Sequence, residues 1–422
     1  MKILYISQYF PPEMGAPAAR ASELARHWAD SGHDITILTG FPNHPTGIIA
    51  KDYRGRFWRL LDREKSDGVN VVRTWLLPFP NRKTYERILN YASFGLSAAF
   101  TGMFLRAPDV VIATSPQLLV ALAGWWVAKW KRVPFVFEVR DLWPESLAAV
   151  GAGAQQSVLY RTLAKIAGFL YRRSDKIVVV TPAFLSFLIE HWSIPEEKIC
   201  VVENGVETTL FSPQPAAVDL RESLGAEDRF LVSYIGTVGM AHGLDTLLGA
   251  AEKLQYTHPN VMFMLVGEGS EKAAITSSAG SRGLTNVRFI GEQPRERVPD
   301  YIRASDVCLV MLRKSDIFKT VIPTKMLEFM ACGRPAILGV EGQARTILEA
   351  AKAGIAIEPE NAHELAEAIV QLVSNPSLRE TMGKNGRRYV VQNCSRKTTA
   401  NIYLEHLQSL VSEKSDAIAV AV

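Results

Sequence analysis

Two side chains suited to chemistry, Lys325 and Glu328, stand three positions apart in an otherwise apolar stretch, FKTVIPTKMLEFMACGRPAILG, residues 318–339. Met326, Leu327, Phe329 and Met330 recur at helical spacing, Pro323 suits a first helical turn, and Gly333-Arg334-Pro335 stops the helix. Ala336-Ile337-Leu338 then reads as a short buried strand. A helix N-terminus already favours an anion through its free amides and its dipole, and Lys325 would add a cation there. The plain alternative is a surface i,i+3 ion pair contributing about 0.2–0.5 kcal/mol. A second group is Arg140-Asp141, directly after the strand 134–139 and before Trp143-Pro144-Glu145. Open parallel sheets place their sites at such strand ends, so a cation, a carboxylate and an aromatic here read as a catalytic or acceptor wall, or else as a salt-bridged turn. A third group is made of glycines after strands. Gly236-Thr237 with His242 follows 230–235, Gly267-Glu268-Gly269 follows 260–266, and Gly291 ends 287–291. Such loops expose amides to phosphate and leave room for a nucleotide. Gly15, in the loop after the first strand, could let the backbone pass close to a bound group or could be an ordinary turn glycine; alone it is no dinucleotide fingerprint.

The elements that would position these residues alternate strand and helix. The strands 3–6, 33–40, 109–114, 134–139 and 176–180 belong to the first half, and 230–235, 260–266, 287–291 and 307–312 to the second. Asn204-Gly205 and the proline-bearing run to Pro215 read as a hinge. The expected domains are therefore 1–204 and 205–396. A last helix, 397–413, is expected to pack back on the first domain, with a frayed tail at 414–422. At 422 residues, 48% hydrophobic and 21% charged, the chain fits a globular protein of two to three domains. Met1-Lys2 leads directly into a strand without a cleavage pattern. Its four cysteines are scattered, with no CxxC pair, and its histidines lack ligand spacing, so neither disulfides nor a metal are expected.

Net charge is +4, unevenly placed: residues 1–200 carry 24 basic and 17 acidic side chains, while the remainder is slightly acidic. That asymmetry points to an anionic partner on one side, or to an ordinary fluctuation of surface charge. The segment 51–65 interleaves Lys51, Arg54, Arg56, Arg59, Arg63 and Lys65 with aromatic and aliphatic residues. Arg82, Lys83 and Arg87 precede the uncharged run from Ile88 to Leu105, which ends at Arg106. The run is short and diluted for a membrane span of about 20 residues, so a helix lying on an anionic membrane surface is expected, with a buried helix as the alternative. No nucleic-acid module surrounds these cations, and no nucleic-acid partner is expected.

The ordered series NGVE…FxP, YIGxxG…HGLD, LVGEG, VRFIG, ASDV and PTKMLEFMACGRP resembles the retaining glycosyltransferases of family 4. QYFPPEMGAPAAR, GFPNHPTG and VRDLWPES narrow the likeness to the WbuB-like bacterial subgroup that adds N-acetylfucosamine in O-antigen and capsule assembly. The resemblance covers nearly the whole chain. It implies an α/β protein of GT-B fold, with two Rossmann-like doubly wound parallel-sheet domains facing a central cleft. It also implies a nucleotide-diphosphate sugar donor, most readily uridine-linked, a polyprenyl-diphosphate-linked saccharide acceptor, and no cofactor. The expected location is cytoplasmic, peripheral on the inner face of the plasma membrane. By position, Glu328 matches the second carboxylate of the family's E-x7-E motif, which holds the donor ribose. Ile290 and Gly291 match the loop that reads the base, Gly236, Gly267 and Gly269 line the donor pocket, and Gly15 faces the diphosphate. The first E-x7-E position is Thr320, and Arg140 stands where many relatives have a histidine, beside Asp141. Thr237 and His242 occupy the loop that usually carries Arg and Lys. Diphosphate neutralisation is thereby expected of Lys325, with Lys319 or Arg313, while Asp316 would cover for the missing glutamate. A sugar-nucleotide epimerase of the same fold and a non-catalytic nucleotide-sugar scaffold are the competing readings.

Overall fold

A computed structural model of the chain describes all residues except Met14, Pro45, 81–82, 147–156, 215–217 and 421–422. The chain forms two compact units, Met1–Asn204 with Lys397–Val422, and Gly205–Arg396. Arg82 and Pro215 of the hinge lie outside the described residues.

The first unit is built on strands β1 (Lys2–Ile6), β2 (Asp34–Gly40), β3 (Leu61–Ser66), β4 (Val69–Thr74), β5 (Val110–Thr114), β6 (Phe135–Val139), β7 (Lys176–Val179) and β8 (Ile199–Val201). They run in the order β3-β4-β2-β1-β5-β6-β7-β8, parallel except for β3 against β4. Its helices are α1 (Ala16–Asp30), α2 (Arg54–Phe57), α3 (Thr84–Phe104), α4 (Leu118–Lys131), α5 (Val158–Arg173) and α6 (Pro182–Trp192). Strand order reverses at β1, which lies between β2 and β5, so the loops after β1 and β5 border a topological switch point.

The second unit carries α7 (Val218–Ser223), β9 (Phe230–Ile235), α8 (Asp245–Thr257), β10 (Val261–Val266), α9 (Lys272–Ser281), β11 (Val287–Ile290), α10 (Val298–Ala304) and β12 (Val307–Met311). α11 (Thr324–Ala331), β13 (Ala336–Gly339), α12 (Gln343–Ala351), β14 (Gly354–Ala356), α13 (Ala362–Ser374) and α14 (Pro376–Asn393) complete it. Its sheet is β11-β10-β9-β12-β13-β14, all parallel, and β9 is the reversal strand. The strands read as near-continuous apolar runs because helices cover both faces; β9 and β10 are buried along their whole length.

The final helix, α15 (Arg396–Val420), packs its Ala400, Tyr403, Leu404 and Leu407 into the core formed by β1, β2 and α1. Trp28 Nε1 donates to the Ala400 carbonyl at 2.9 Å, and its ring meets Tyr403 edge-on at 5.2 Å. The backbone stays helical through Val420, so the tail expected at 414–422 is corrected: Ser-Glu-Lys-Ser-Asp-Ala supplies no breaker, and the helix continues. A second difference lies at 51–65. That segment is a short helical turn leading into the edge strand β3, whose Asp62 and Glu64 come from within the stretch read as basic. Arg56 Nη1 bonds both carboxylates, at 2.7 and 3.0 Å, and Glu64 also takes Arg73 Nε at 2.7 Å. Arg59, Arg63 and Lys65 remain exposed.

Candidate functional site

The second unit's site follows from strand register. Ile235 of β9 lies opposite Val266 of β10, and Val266 opposite Ile290 of β11. Gly236, Gly267 and Gly291, each one residue further, therefore form adjacent steps on one rim. Gly236 and Gly267 both have φ of 141°, a region side chains rarely enter. They are also crowded. A Cβ on Gly267 would sit 2.1 Å from the Gly236 carbonyl oxygen, and one on Gly236 would sit 2.7 Å from Lys325 Nζ. The glycines thus allow the loops to stack and leave the space above Gly236 to the lysine.

Lys325 lies in the first turn of α11, and its ammonium turns inward across the end of β9. Nζ donates to the Tyr234 hydroxyl at 2.9 Å and stands 4.1 Å from that ring's centre. The Tyr234 hydroxyl in turn donates to the Thr237 carbonyl at 2.6 Å, which fixes the loop after β9. Because the lysine's hydrogen-bond partner is neutral, burial is poorly offset, and its pKa is pushed down to about 7. His242 closes the same loop, its Nδ1 3.2 Å from the Gly239 carbonyl and its ring 5.8 Å from Tyr234. Burial and the neighbouring Lys325 charge push this imidazole down to about 3, so it is neutral over the working range. Thr237 itself is exposed.

Glu328, one turn further along α11, is buried and accepts from Arg295 Nη1 at 2.7 Å. Arg295 comes from the loop after β11 and lies with its guanidinium 4.6 Å from the Phe211 ring centre. Glu328 is thus a held carboxylate rather than a surface partner of Lys325. Lys319 and Asp316 are paired with one another at 2.8 Å, and Lys319 also reaches Glu341 at 3.7 Å. Thr320 donates its hydroxyl to the Ile317 carbonyl at 2.6 Å. Arg313 donates Nε to the Met240 carbonyl at 2.6 Å, so it braces the β9 loop. Gly269 stacks against Val238, Ile290 is half-buried, and Gly291 is open at the rim.

In the first unit, Gly15 caps α1 with φ of 117°. Arg140, at the end of β6, donates Nη1 to the Pro17 carbonyl of that helix's first turn at 3.3 Å. Its Nε reaches the Ser115 carbonyl at 3.3 Å, while its own amide donates to Ser115 Oγ at 2.8 Å. Gly15, the β5 loop and Arg140 are thereby drawn together at the switch point. Asp141 accepts from Trp143 Nε1 at 3.3 Å and from the Ser146 hydroxyl; burial raises its pKa. Beneath them lies a buried ionic group: Glu138 takes Arg20 Nε at 2.9 Å and the Tyr5 hydroxyl at 2.5 Å.

Sequence reasoning missed Tyr234, Arg295 and Glu13. Tyr234 is the one hydroxyl-bearing aromatic in an apolar strand, and Arg295 the cation of a loop on the glycine rim; both were visible signals. Glu13 Oε1 accepts the amides of Asn43 at 2.9 Å and His44 at 3.0 Å, and burial pushes its carboxyl up to about 7. Nothing in the loop PPEM distinguishes it from a surface glutamate.

Two family models match this chain. That of the glycosyl transferases group 1 covers residues 218–389, and that of the glycosyl transferase 4-like domain covers 15–205. Among curated proteins, the provisionally named colanic acid biosynthesis glycosyl transferase WcaI of Escherichia coli K12 is 26% identical over 389 residues, spanning 89% of this chain and 93% of its own. WbjE of Pseudomonas aeruginosa, named as a glycosyltransferase, is 24% identical over 56% of each chain. Among solved structures, sucrose-phosphate synthase of Thermosynechococcus elongatus superposes with a TM-score of 0.76 at 20% identity, covering 98% of this chain and 99% of that one. HepE of Anabaena, solved with UDP-glucose, gives 0.73 at 18% identity over 97% and 100%.

Proposed function

We infer that this chain, which belongs to glycosyltransferase family 4 and has the GT-B fold, moves a sugar from a uridine-diphosphate donor to a lipid-linked saccharide, with retention of configuration, in the assembly of a surface polysaccharide. The observation that carries the reading is Lys325: a cation bonded to a neutral hydroxyl, directly beside the glycine rim of the second sheet. Loss of a nucleoside diphosphate builds negative charge on the leaving oxygens, and a fixed cation among exposed amides stabilises that charge without reorganisation. An arriving diphosphate would raise the pKa of Lys325 and restore its full charge. Glu328 is the acceptor for the vicinal ribose hydroxyls, because a carboxylate takes two such bonds. Arg295 holds it in place. His242, neutral, offers a ring nitrogen rather than a charge. UDP-glucose bound to HepE and the colanic acid role named for WcaI support the donor class and the pathway class. An N-acetylated deoxyhexosamine such as N-acetylfucosamine is the sugar the sequence motifs favour. A polyprenyl-diphosphate acceptor at an anionic membrane fits the first unit's cations.

The test is a panel of UDP-sugars incubated alone and with a lipid-linked acceptor, scored by UDP release and by the anomeric configuration of the product. UDP released only with both substrates, and a product of the donor's configuration, is the expected result. Conversion of the donor without acceptor would replace this reading with the epimerase one.

A further inference from the structure

α3 is packed the wrong way round for a helix that faces water. Its small residues point inward. Gly95 lies against Leu119 of α4, where a Cβ would meet the carbonyl oxygen at 3.1 Å, and Gly102 lies against Val127, where one would meet a methyl carbon at 2.6 Å. Ala98 is fully buried with them. Phe94 is buried beside them, but three other large apolar residues point outward: Leu96 is 75% exposed, Phe100 63% and Phe104 73%. With Tyr85, Ile88 and Leu89 these form one stripe along a helix about 30 Å long. α4 continues it with Trp126 and Trp130, one turn apart and both exposed. Lys131 locks the two helices side by side, its ammonium bonding the Met103 and Leu105 carbonyls at 3.1 and 2.6 Å.

The charge around this stripe has one sign. From Lys83 to Arg106, along α4 to Arg132 and along α5 there are ten basic side chains and one acid, Glu86. α5 belongs to the same layer, its Phe169 packed edge-on against Trp125 of α4 at 4.8 Å. A large exposed apolar patch marks a contact surface, and the like-charged rim selects the partner. Two copies of the chain meeting on this face would bring two cationic rims together. An anionic bilayer neutralises the rim, accepts the aliphatic and phenylalanine side chains below its headgroups, and suits tryptophan and tyrosine at the headgroup level. No helix among the described residues is long and apolar enough to cross a membrane.

We propose that the α3–α4 face, with α5 as its cationic flank, docks the protein flat on an anionic lipid surface by shallow insertion of Leu96, Phe100, Phe104 and Trp130. This rests on the membrane part of the functional reading and leaves the 51–65 segment a minor contact, since Asp62 and Glu64 already occupy Arg56. Because apolar insertion supplies part of the binding, raising salt weakens docking without abolishing it, whereas purely ionic attachment would be lost as screening lengths fall below about 8 Å.

The full chain is tested by flotation with phosphatidylglycerol-rich and with pure phosphatidylcholine vesicles. Wild type is expected to float with the anionic vesicles, and Leu96→Ser/Phe100→Ser/Phe104→Ser to lose at least tenfold in vesicle affinity. Arg59→Gln/Arg63→Gln is expected to lose less than threefold. Bromine-labelled acyl chains should quench wild-type fluorescence more than that of Trp126→Phe/Trp130→Phe, a readout independent of how well the serine variant folds. Equal flotation of wild type and the serine variant, no flotation of wild type, or a wild-type dimer that the serine substitutions dissociate would each overturn the proposal. Transfer to a short water-soluble acceptor separates the two readings. If it succeeds while docking fails, only the face is wrong; if wild type cannot perform it, the transferase reading falls.

Discussion

The rims of the two sheets handle charge in opposite ways. On the first sheet, cations are consumed internally: Arg20 is bound to Glu138 and to the carbonyls of Val202 and Glu203, and Arg140 to those of Pro17 and Ser115. On the second sheet, Lys325 hydrogen-bonds a neutral phenol, and burial, only partly offset by the nearby Glu328 charge, lowers its pKa. A rim that satisfies its own charges is architecture. One that leaves a buried ammonium underpaired is prepared for a ligand that brings the countercharge. The difference separates two kinds of strongly perturbed group that look alike as isolated residues.

The contrast breaks most sharply if the wrong unit responds to mutation. Glu138→Leu leaves Arg20 buried and uncompensated, a loss of about 3–5 kcal/mol of stability. Thermal unfolding should show it, while calorimetric UDP affinity of the remaining folded protein should match wild type. Lys325→Met should do the reverse, lowering turnover by about 10²–10³-fold with little change in melting temperature. The loss in turnover should exceed the loss in UDP affinity, since leaving-group charge peaks in the transition state. Equal losses would reduce Lys325 to a ground-state contact. Glu328→Gln keeps shape but weakens charge-assisted bonds of about 1.5–3 kcal/mol each, so UDP affinity should fall by one to two decades. A 2′-deoxy nucleotide should lose less, and an unchanged affinity for UDP would remove Glu328 from the ribose.

The mildest test uses pH. Lys325 in the free protein gives up its proton near 7, and the bound diphosphate favours the protonated form. Affinity for UDP should therefore be greatest below about pH 7 and decline above it, by up to about tenfold per pH unit, until the pKa in the complex is reached. His242, held near 3, contributes nothing to this window. The Lys325→Met protein should lack that decline.

Glycines after apolar strands were legible as a rim because Gly236, Gly267 and Gly291 each follow a largely apolar run, and the register of three parallel strands then aligns them. Lys325 and Glu328 were legible as exceptions on a greasy helix. What could not be read was their division of labour: i,i+3 spacing suggests a pair, yet one turns to Tyr234 and the other to Arg295, residues 91 and 33 positions away. The basic stretch at 51–65 misled for a similar reason. Its acids, Asp62 and Glu64, fall beside Arg56 and Arg73 only once β3 doubles back on β4. The uncharged run after Arg87 was recognised as a helix of ambiguous surroundings. Its orientation rests on which side its glycines meet α4, and composition carries no such information.

The return of α15 to the first unit sets an order of events during synthesis. Trp28 finds its carbonyl partner in Ala400, so the core around Leu24, Trp28 and Ile37 is completed only once the residues around 400 are available. The second unit is continuous from 205 to 396, so all of its residues precede that helix in the chain. A released chain truncated after residue 396 should therefore hold a protease-resistant second unit beside a first unit that chaperones still recognise.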